Sequence, residues 1–390
     1  MPSPDRRACI VGIGETEYRK WGGYTDRSEL ELACEAIKRA ADDAGVRLHQ
    51  IDGVASYGDD RNQPVYLQNS LGLPELRWNS LSWGGGGAGS ISSVHHAATA
   101  IEAGAADYVV ALRALCQGQF RRYGRFFPGR PGNNFLAPFG MFSPPIFMAP
   151  LVRRYMHDYN IRPEQIGELV LSFRDNATRN PRAMMKDKPL TMEDYLNARM
   201  IADPLRLLDC TQENDGACAL LVTSLERARD LKQKPILILS SAQGQNAGWG
   251  EGAIGGHNMP IGEYGGGNST MVADLIYGRA GLKPSDIDVA QIYDHFSGLV
   301  MMSIENFGFC GKGEAGDFVG SGAIRWKTGS LPMNTSGGHL SEAYIHGLNL
   351  ANEGVRQLRG TSTSQVDGAE VCLVTGGSAS GPASAMILGV

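Results

Sequence analysis

Two distant stretches of the chain repeat one another without a gap: "AGVRLHQIDGVASYGDD" from Ala44 and "AGLKPSDIDVAQIYDHF" from Ala280. Ala44-Gly45 aligns with Ala280-Gly281, Ile51-Asp52 with Ile287-Asp288, and Tyr57 with Tyr293. A constant offset over several positions points to duplication of a supersecondary unit. The surroundings extend the echo. "ACIVGIGET" is an apolar run, and Leu30, Leu32, Ala33, Ala36 and Ile37 follow at helical spacing, so a strand leads into a helix. Residues 89–104 read as a helix before the strand "DYVVAL", and 337–358 as a helix before the strand "EVCLVTGG". The predicted class is α/β, with two similar halves, each a mixed sheet with helices on its faces. The division falls between 1–266, which carries a loop insertion at about 117–205, and 267–390.

The net charge of −5, without a basic run, excludes a nucleic-acid backbone as partner. No apolar run approaches the ~18 residues of a membrane span, so no membrane is expected and the cytoplasm is the expected compartment. The seven cysteines are scattered and never spaced CxxC, which argues for reduced thiols and against a zinc or other metal site. Cys116 and Cys218, among small or apolar neighbours, read as buried thiols.

Several local features need a role. Gly12 and Gly14 lack the third glycine of a nucleotide loop and read as a strand-end turn. "SWGGGGAGSISS" (82–93) places four glycines ahead of a helix predicted from about Ser90, with Ile91, Val94, Ala97, Ala98 and Ile101 on its buried stripe. His95 and His96 lie on that helix, one of them expected to face solvent. The Phe-, Gly-, Pro- and Arg-rich stretch 117–150 is expected to cap a site or face a partner, and 243–268 is a Gly-rich connector.

With "VGIGET", "AATAIEAGAADYVVAL", "NDGACALLVTS" (214–224) and "NTSGGHLSEAYIHG" (334–347) in register, the chain resembles the thiolase superfamily, and most closely its sterol-carrier-type branch. The resemblance implies a layered α-β-α-β-α arrangement. It also implies sites where this chain departs from the thiolase pattern. The nucleophilic cysteine position falls on Gly87, the histidine of the Gly-His-Pro motif on Tyr344, the second cysteine on Val374-Thr375-Gly376, and the Asn-Glu-Ala-Phe motif on Tyr293-Asp294-His295-Phe296. Loss of both cysteines removes the covalent thiolytic route, whereas tyrosine hydroxyls retain acid/base capacity. In this the chain resembles the steroid side-chain aldolases, which cleave a β-hydroxyacyl-CoA by a retro-aldol reaction.

The resemblance then implies Tyr344 as the group accepting the hydroxyl proton and Tyr293 as the one protonating the enolate or positioning the thioester, with the exchanged assignment equally open. His346, Asp294 and His295 are candidate relays. Gly86, Gly87, Gly89, Asn334, Gly337, Gly338, Gly376 and Gly377 are candidate substrate contacts. No cofactor is expected beyond the CoA of the substrate, and the implied assembly is a homodimer joined to an OB-fold/zinc-ribbon partner as a heterotetramer. Two alternatives stand beside this one: a thiolase using a displaced Cys372 or Cys116, and a non-catalytic lipid- or acyl-CoA-binding subunit.

Overall fold

The computed structural model describes residues 5–58, 60–84, 86–120, 137–141, 143–246, 261–377 and 382–390. Among these, one sheet runs in the strand order Val289–Gln291, Val371–Gly376, Ala383–Gly389, Ile236–Gly244, Ala8–Glu15, Asn214–Ser224, Tyr108–Leu115, Gly53–Tyr57, Trp78–Ser82. Read outward from its centre, the sheet repeats itself. Ala8–Glu15 pairs antiparallel with Asn214–Ser224, which pairs antiparallel with Tyr108–Leu115, which runs parallel to Gly53–Tyr57. On the other side Ile236–Gly244, Ala383–Gly389, Val371–Gly376 and Val289–Gln291 follow the same sequence of directions. The two sets join where Cys9 and Ile10 meet Leu237 and Ile236. In chain order the second set of strands opens with Ile236–Gly244, and the boundary expected after residue 266 lies between that strand and the helix Gly267–Ala280.

The repeated residues have matching physical jobs. Gly45 and Gly281 both end a helix in the left-handed region, at φ 74° and 66°, where glycine carries no Cβ penalty. Asp52 accepts the amides of Asp107 and Tyr108 at the start of one strand. Asp288 likewise accepts the amides of Glu370 and Val371 at the start of its counterpart. Each carboxylate thus satisfies the donors of a strand entry that no ladder partner covers.

Gly12 and Gly14 lie within the strand Ala8–Glu15 rather than in a turn after it. A Cβ on either would stand 2.0–2.1 Å from the carbonyl oxygen of Ala40 or Ala36, so the pair lets the helix Glu29–Ala44 lie directly on the sheet. That helix starts with a reciprocal Ser28–Glu31 capping box.

The glycine run also behaves differently from expectation. The helix begins at Gly86 and extends to Ala103. Its predicted stripe is buried, but so are Ser90, Ser92 and Ser93, because the helix packs between strands of both units. Burial on every side along Gly87–Val94 suits the middle layer of a layered fold. His95 and His96 are both half-buried, neither facing solvent freely, and bond Ser241 and Ser80 respectively.

In the second unit the expected continuous helix over 337–358 is a short turn, Gly338–Ser341, then a helix, Leu348–Arg359. His346 and Gly347, at φ 50° and 99°, break the helical path between them. Between Tyr108–Leu115 and Asn214–Ser224 the chain carries the helices Pro144–Tyr159, Pro163–Arg179 and Met192–Leu196 and a small hairpin, Met200–Ala202 with Leu205–Arg206. Much of the Phe-rich stretch (121–136 and 142) and of the Gly-rich connector (247–260) lies outside the described residues.

Candidate active site

The second unit brings Tyr293 and Tyr344 to the N-terminus of the helix Gly86–Ala103, which belongs to the first. Tyr293 follows the short strand Val289–Gln291, its amide held by Thr375 Oγ1 at 2.9 Å. Its ring fills the position where a side chain on residue 87 would go. A Cβ on Gly87 would lie 2.0–2.5 Å from three ring carbons of Tyr293. The absence of a nucleophile side chain therefore does not leave open space for substrate; the Tyr293 ring takes it. The Gly87 amide, one of the unpaired donors of a helix start, donates to the Tyr293 hydroxyl at 3.1 Å. Tyr57 repeats this packing one step along, since a Cβ on Gly89 would lie 2.6 Å from the Cβ of Tyr57.

Tyr344 sits in the break between the turn and the helix, where its amide donates to Asn214 Oδ1 at 2.6 Å. Its hydroxyl lies 2.8 Å from that of Tyr293, so one of the two donates to the other. Tyr293 is 3% exposed, whereas Tyr344 is only partly buried, which makes Tyr344 the outer member of the pair. Gly86, at φ 55°, borders both hydroxyls; a Cβ there would come within 3.2 Å of the Tyr293 hydroxyl and 3.8 Å of that of Tyr344.

The remaining candidates divide by position. His346 packs edge-on to Tyr344, ring centroids 4.8 Å apart, while its Nδ1 meets Tyr57 and Arg113. His295 is 4.8 Å from Tyr293 by ring centroids, and burial lowers it to about 3, so it is neutral at working pH. Asp294 contacts neither tyrosine hydroxyl. Its carboxylate accepts the amides of His339 and Leu340 and thereby anchors the Gly338–Ser341 turn. Burial raises it to about 7, with those two amides acting in the opposite sense.

Asn334 likewise has a structural set of partners, exchanging two hydrogen bonds with the backbone of Ile292. Gly337 packs on Ala177, and Gly338 on Asp294 and Asn334, each at positive φ. Gly376 lies against the Gly87 carbonyl, and Gly377, at φ 89°, against that of Pro382. Of the eight expected substrate contacts, Gly86 and Gly87 border the tyrosine pair, and the other six shape the backbone around it.

One member of the site was not singled out from sequence. His339 is fully buried, edge-on to both Tyr293 and Tyr344 at 4.7 and 5.1 Å between centroids. Its Nδ1 stands 3.2 Å from Asp294 Oδ1 without the alignment of a hydrogen bond, and burial lowers it well below the usual histidine range. A histidine directly after Gly337-Gly338, in the same motif as Tyr344, was the available signal.

The loop that carries Tyr344 is pinned by Glu342. Asn180, Ser336 and Asn349 all donate to its carboxylate. Burial nevertheless raises it to about 7, so the folded state holds its proton more tightly than the unfolded chain. Stability from this group is complete below about pH 4.5 and is lost as the pH rises through 7. Glu342→Gln keeps the uncharged form. Its stability relative to the parent is therefore expected to improve between pH 4.5 and 8, by on the order of 3 kcal/mol. Urea midpoints at the two pH values measure this, and a difference that does not move with pH contradicts it.

Among the described residues no group of three or more His, Cys, Asp or Glu is placed to hold a metal ion, and no helix is long and apolar enough to cross a membrane. Cys116 and Cys372 are both fully buried. Burial, with Asp215 and Glu29 nearby, pushes Cys116 up to about 12; burial, with Glu353 and Asp288, pushes Cys372 up as well. Both shifts oppose the thiolate a displaced nucleophile needs.

Residues 269–390 match the family described as thiolase C-terminal domain-like. The chain is 42% identical to the 17-hydroxy-3-oxo-4-pregnene-20-carboxyl-CoA lyase of Mycobacterium tuberculosis, covering 98% of this chain and 99% of that one. It is 41% identical to the steroid side-chain-cleaving aldolase of Thermomonospora curvata, covering 98% and 97%. The solved Ltp2-ChsH2(DUF35) aldolase superposes with a TM-score of 0.92 at 40% identity, over 99% of this chain and 98% of that chain. The chain belongs to the family of steroid side-chain-cleaving aldolases.

Proposed function

We propose that this protein is a carbon–carbon lyase that cleaves the CoA ester of a 17-hydroxy steroid C3 side chain to a 17-ketosteroid and propionyl-CoA. The observation that carries the reading is the 2.8 Å contact between the Tyr293 and Tyr344 hydroxyls at the helix start where a thiolase nucleophile is expected. A retro-aldol reaction moves one proton from the substrate hydroxyl to the α-carbon of the thioester. The pair supplies both ends of that path without a net charge. Tyr344 takes the C17 hydroxyl proton as it hands its own to Tyr293, and Tyr293 delivers a proton to the α-carbon. The C17–C20 bond breaks, its electron pair enters the thioester enolate, and the C17 oxygen becomes the ketone. The Gly87 amide supports negative charge that gathers on the Tyr293 oxygen during transfer. Tyr344 has the hydroxyl-side role because it is the outer member of the pair.

The proposal extends to assembly. The two-component name of the Ltp2-ChsH2(DUF35) aldolase supports a partner protein here as well. The reading is a homodimer joined to an OB-fold/zinc-ribbon partner as a heterotetramer, in the cytoplasm, with CoA entering only as part of the substrate. The test is to incubate the chain, alone and with that partner, with the 17-hydroxy ester and to analyse products. Equimolar 17-ketone and propionyl-CoA are expected. A folded chain that yields neither in either arm overturns the assignment.

A further inference from the structure

We infer that Arg113 is a positioning residue for this site, holding His346 as a neutral imidazole whose single proton is on Nε2, beside Tyr344. Arg113 lies in the strand Tyr108–Leu115 and is 1% exposed, the largest of the fully buried side chains. Its Nη1 donates to Asp60 Oδ2 at 2.8 Å, its Cζ stands 4.7 Å from the centre of the Tyr57 ring, and its Nε donates to His346 Nδ1 at 3.2 Å. A guanidinium has no acceptor and stays charged, so the His346 Nδ1 facing it must present its lone pair. The Tyr57 hydroxyl, 2.8 Å from the same nitrogen, is then a second donor to it. A proton on Nδ1 would set N–H against N–H and an imidazolium against a guanidinium.

The setting supports a functional reason for this arrangement. Burying an ion pair such as Arg113–Asp60 costs several kcal/mol in desolvation, which makes it a poor device for stability alone. His346 also adopts φ 50°, an uncommon backbone for a residue with a side chain, and this turns its ring edge-on to Tyr344. The groups with the largest effect on it act in one direction. Burial first, then Arg113, His339, Arg61 and His295, hold it well below the usual histidine range. The nearby carboxylates Asp60 and Glu29 are paired with Arg113 and Arg61. A neutral His346 leaves Tyr344 protonated and able to pass its hydrogen to Tyr293, whereas an imidazolium beside it would favour the phenolate and stall the transfer.

The kinetic consequence rests on the retro-aldol reading; the tautomer does not, so the two are tested separately. In protein labelled with 15N-histidine, with the His346 signals assigned by comparison with His346→Gln, His346 is expected as the Nε2–H tautomer and silent between pH 5 and 8. Arg113→Lys keeps a charged donor and is expected to preserve this. Asp60→Asn/Arg113→Gln removes the charge without stranding a carboxylate. In it the single Nε2–H form is expected to give way to a mixture of the two neutral tautomers, burial still keeping the imidazole uncharged, and kcat to fall about tenfold with KM little changed. An Nδ1–H tautomer in the parent, or a pure Nε2–H tautomer persisting in the folded double variant, overturns the inference. If the parent does not turn over the steroid ester, the retro-aldol reading fails while the tautomer measurement still decides this one.

Discussion

Tyr344→Phe is expected to lower kcat by a factor on the order of a hundred or more while KM for the CoA ester changes less than about threefold. The substitution removes one oxygen and little else. The Tyr344 ring keeps its edge contacts with His346 and His339, and its amide keeps Asn214. What disappears is the outer hydroxyl of the 2.8 Å pair, and with it the only path in the proposed shuttle from the substrate oxygen to Tyr293. Ground-state binding does not depend on that path, so the loss belongs in kcat. Steady-state kinetics of the purified variant, with its thermal unfolding checked against the parent, measure the effect. A kcat within a few-fold of the parent removes Tyr344 from the mechanism.

Gly87→Ala is expected to be damaging in a way that depends on Tyr293. The added methyl would stand 2.0 Å from the nearest ring carbon, far inside any real contact, so either the ring or the start of the helix must move. Overpacking of this kind costs about 1–3 kcal/mol, and the shift also breaks the 3.1 Å bond from the Gly87 amide to the Tyr293 hydroxyl. Stability should fall and turnover should drop at least tenfold. In a Tyr293→Ala background the same change is expected to cost little, because the space it needs is then available. The coupling between the two, read from denaturant unfolding of the four proteins in the cycle, is expected at about 1–3 kcal/mol. Additive effects would mean that the ring and the glycine do not share that space.

The same pair marks the limit of what the sequence makes legible. The duplication is legible because the repeated residues do the same job in both units, with Gly45 and Gly281 ending helices and Asp52 and Asp288 binding strand entries. The meeting of Tyr293 and Tyr344 is legible as two motif positions, but the contact between them spans loops from separate parts of the chain. Gly87 is legible as a missing side chain. That its space belongs to Tyr293 is a packing fact with no periodic signature. Asp294 and His339 escape sequence reading for the same reason. Asp294 looks like a relay by its place next to Tyr293, yet its oxygens are taken by backbone amides of a distant turn. Arg113 carries no motif at all, since a cation in an apolar strand shows its use only through partners remote in sequence.

The central claim is that two tyrosines move a proton and no covalent acyl-enzyme forms. It is tested by running the steroid ester reaction in D2O for analysis of the product, and in parallel in H2O while following the chain by intact mass spectrometry. One deuterium on the α-carbon of the propionyl-CoA released is expected, with an unchanged protein mass throughout turnover. A chain carrying the mass of an acyl group during turnover, or propionyl-CoA without solvent deuterium, would contradict it.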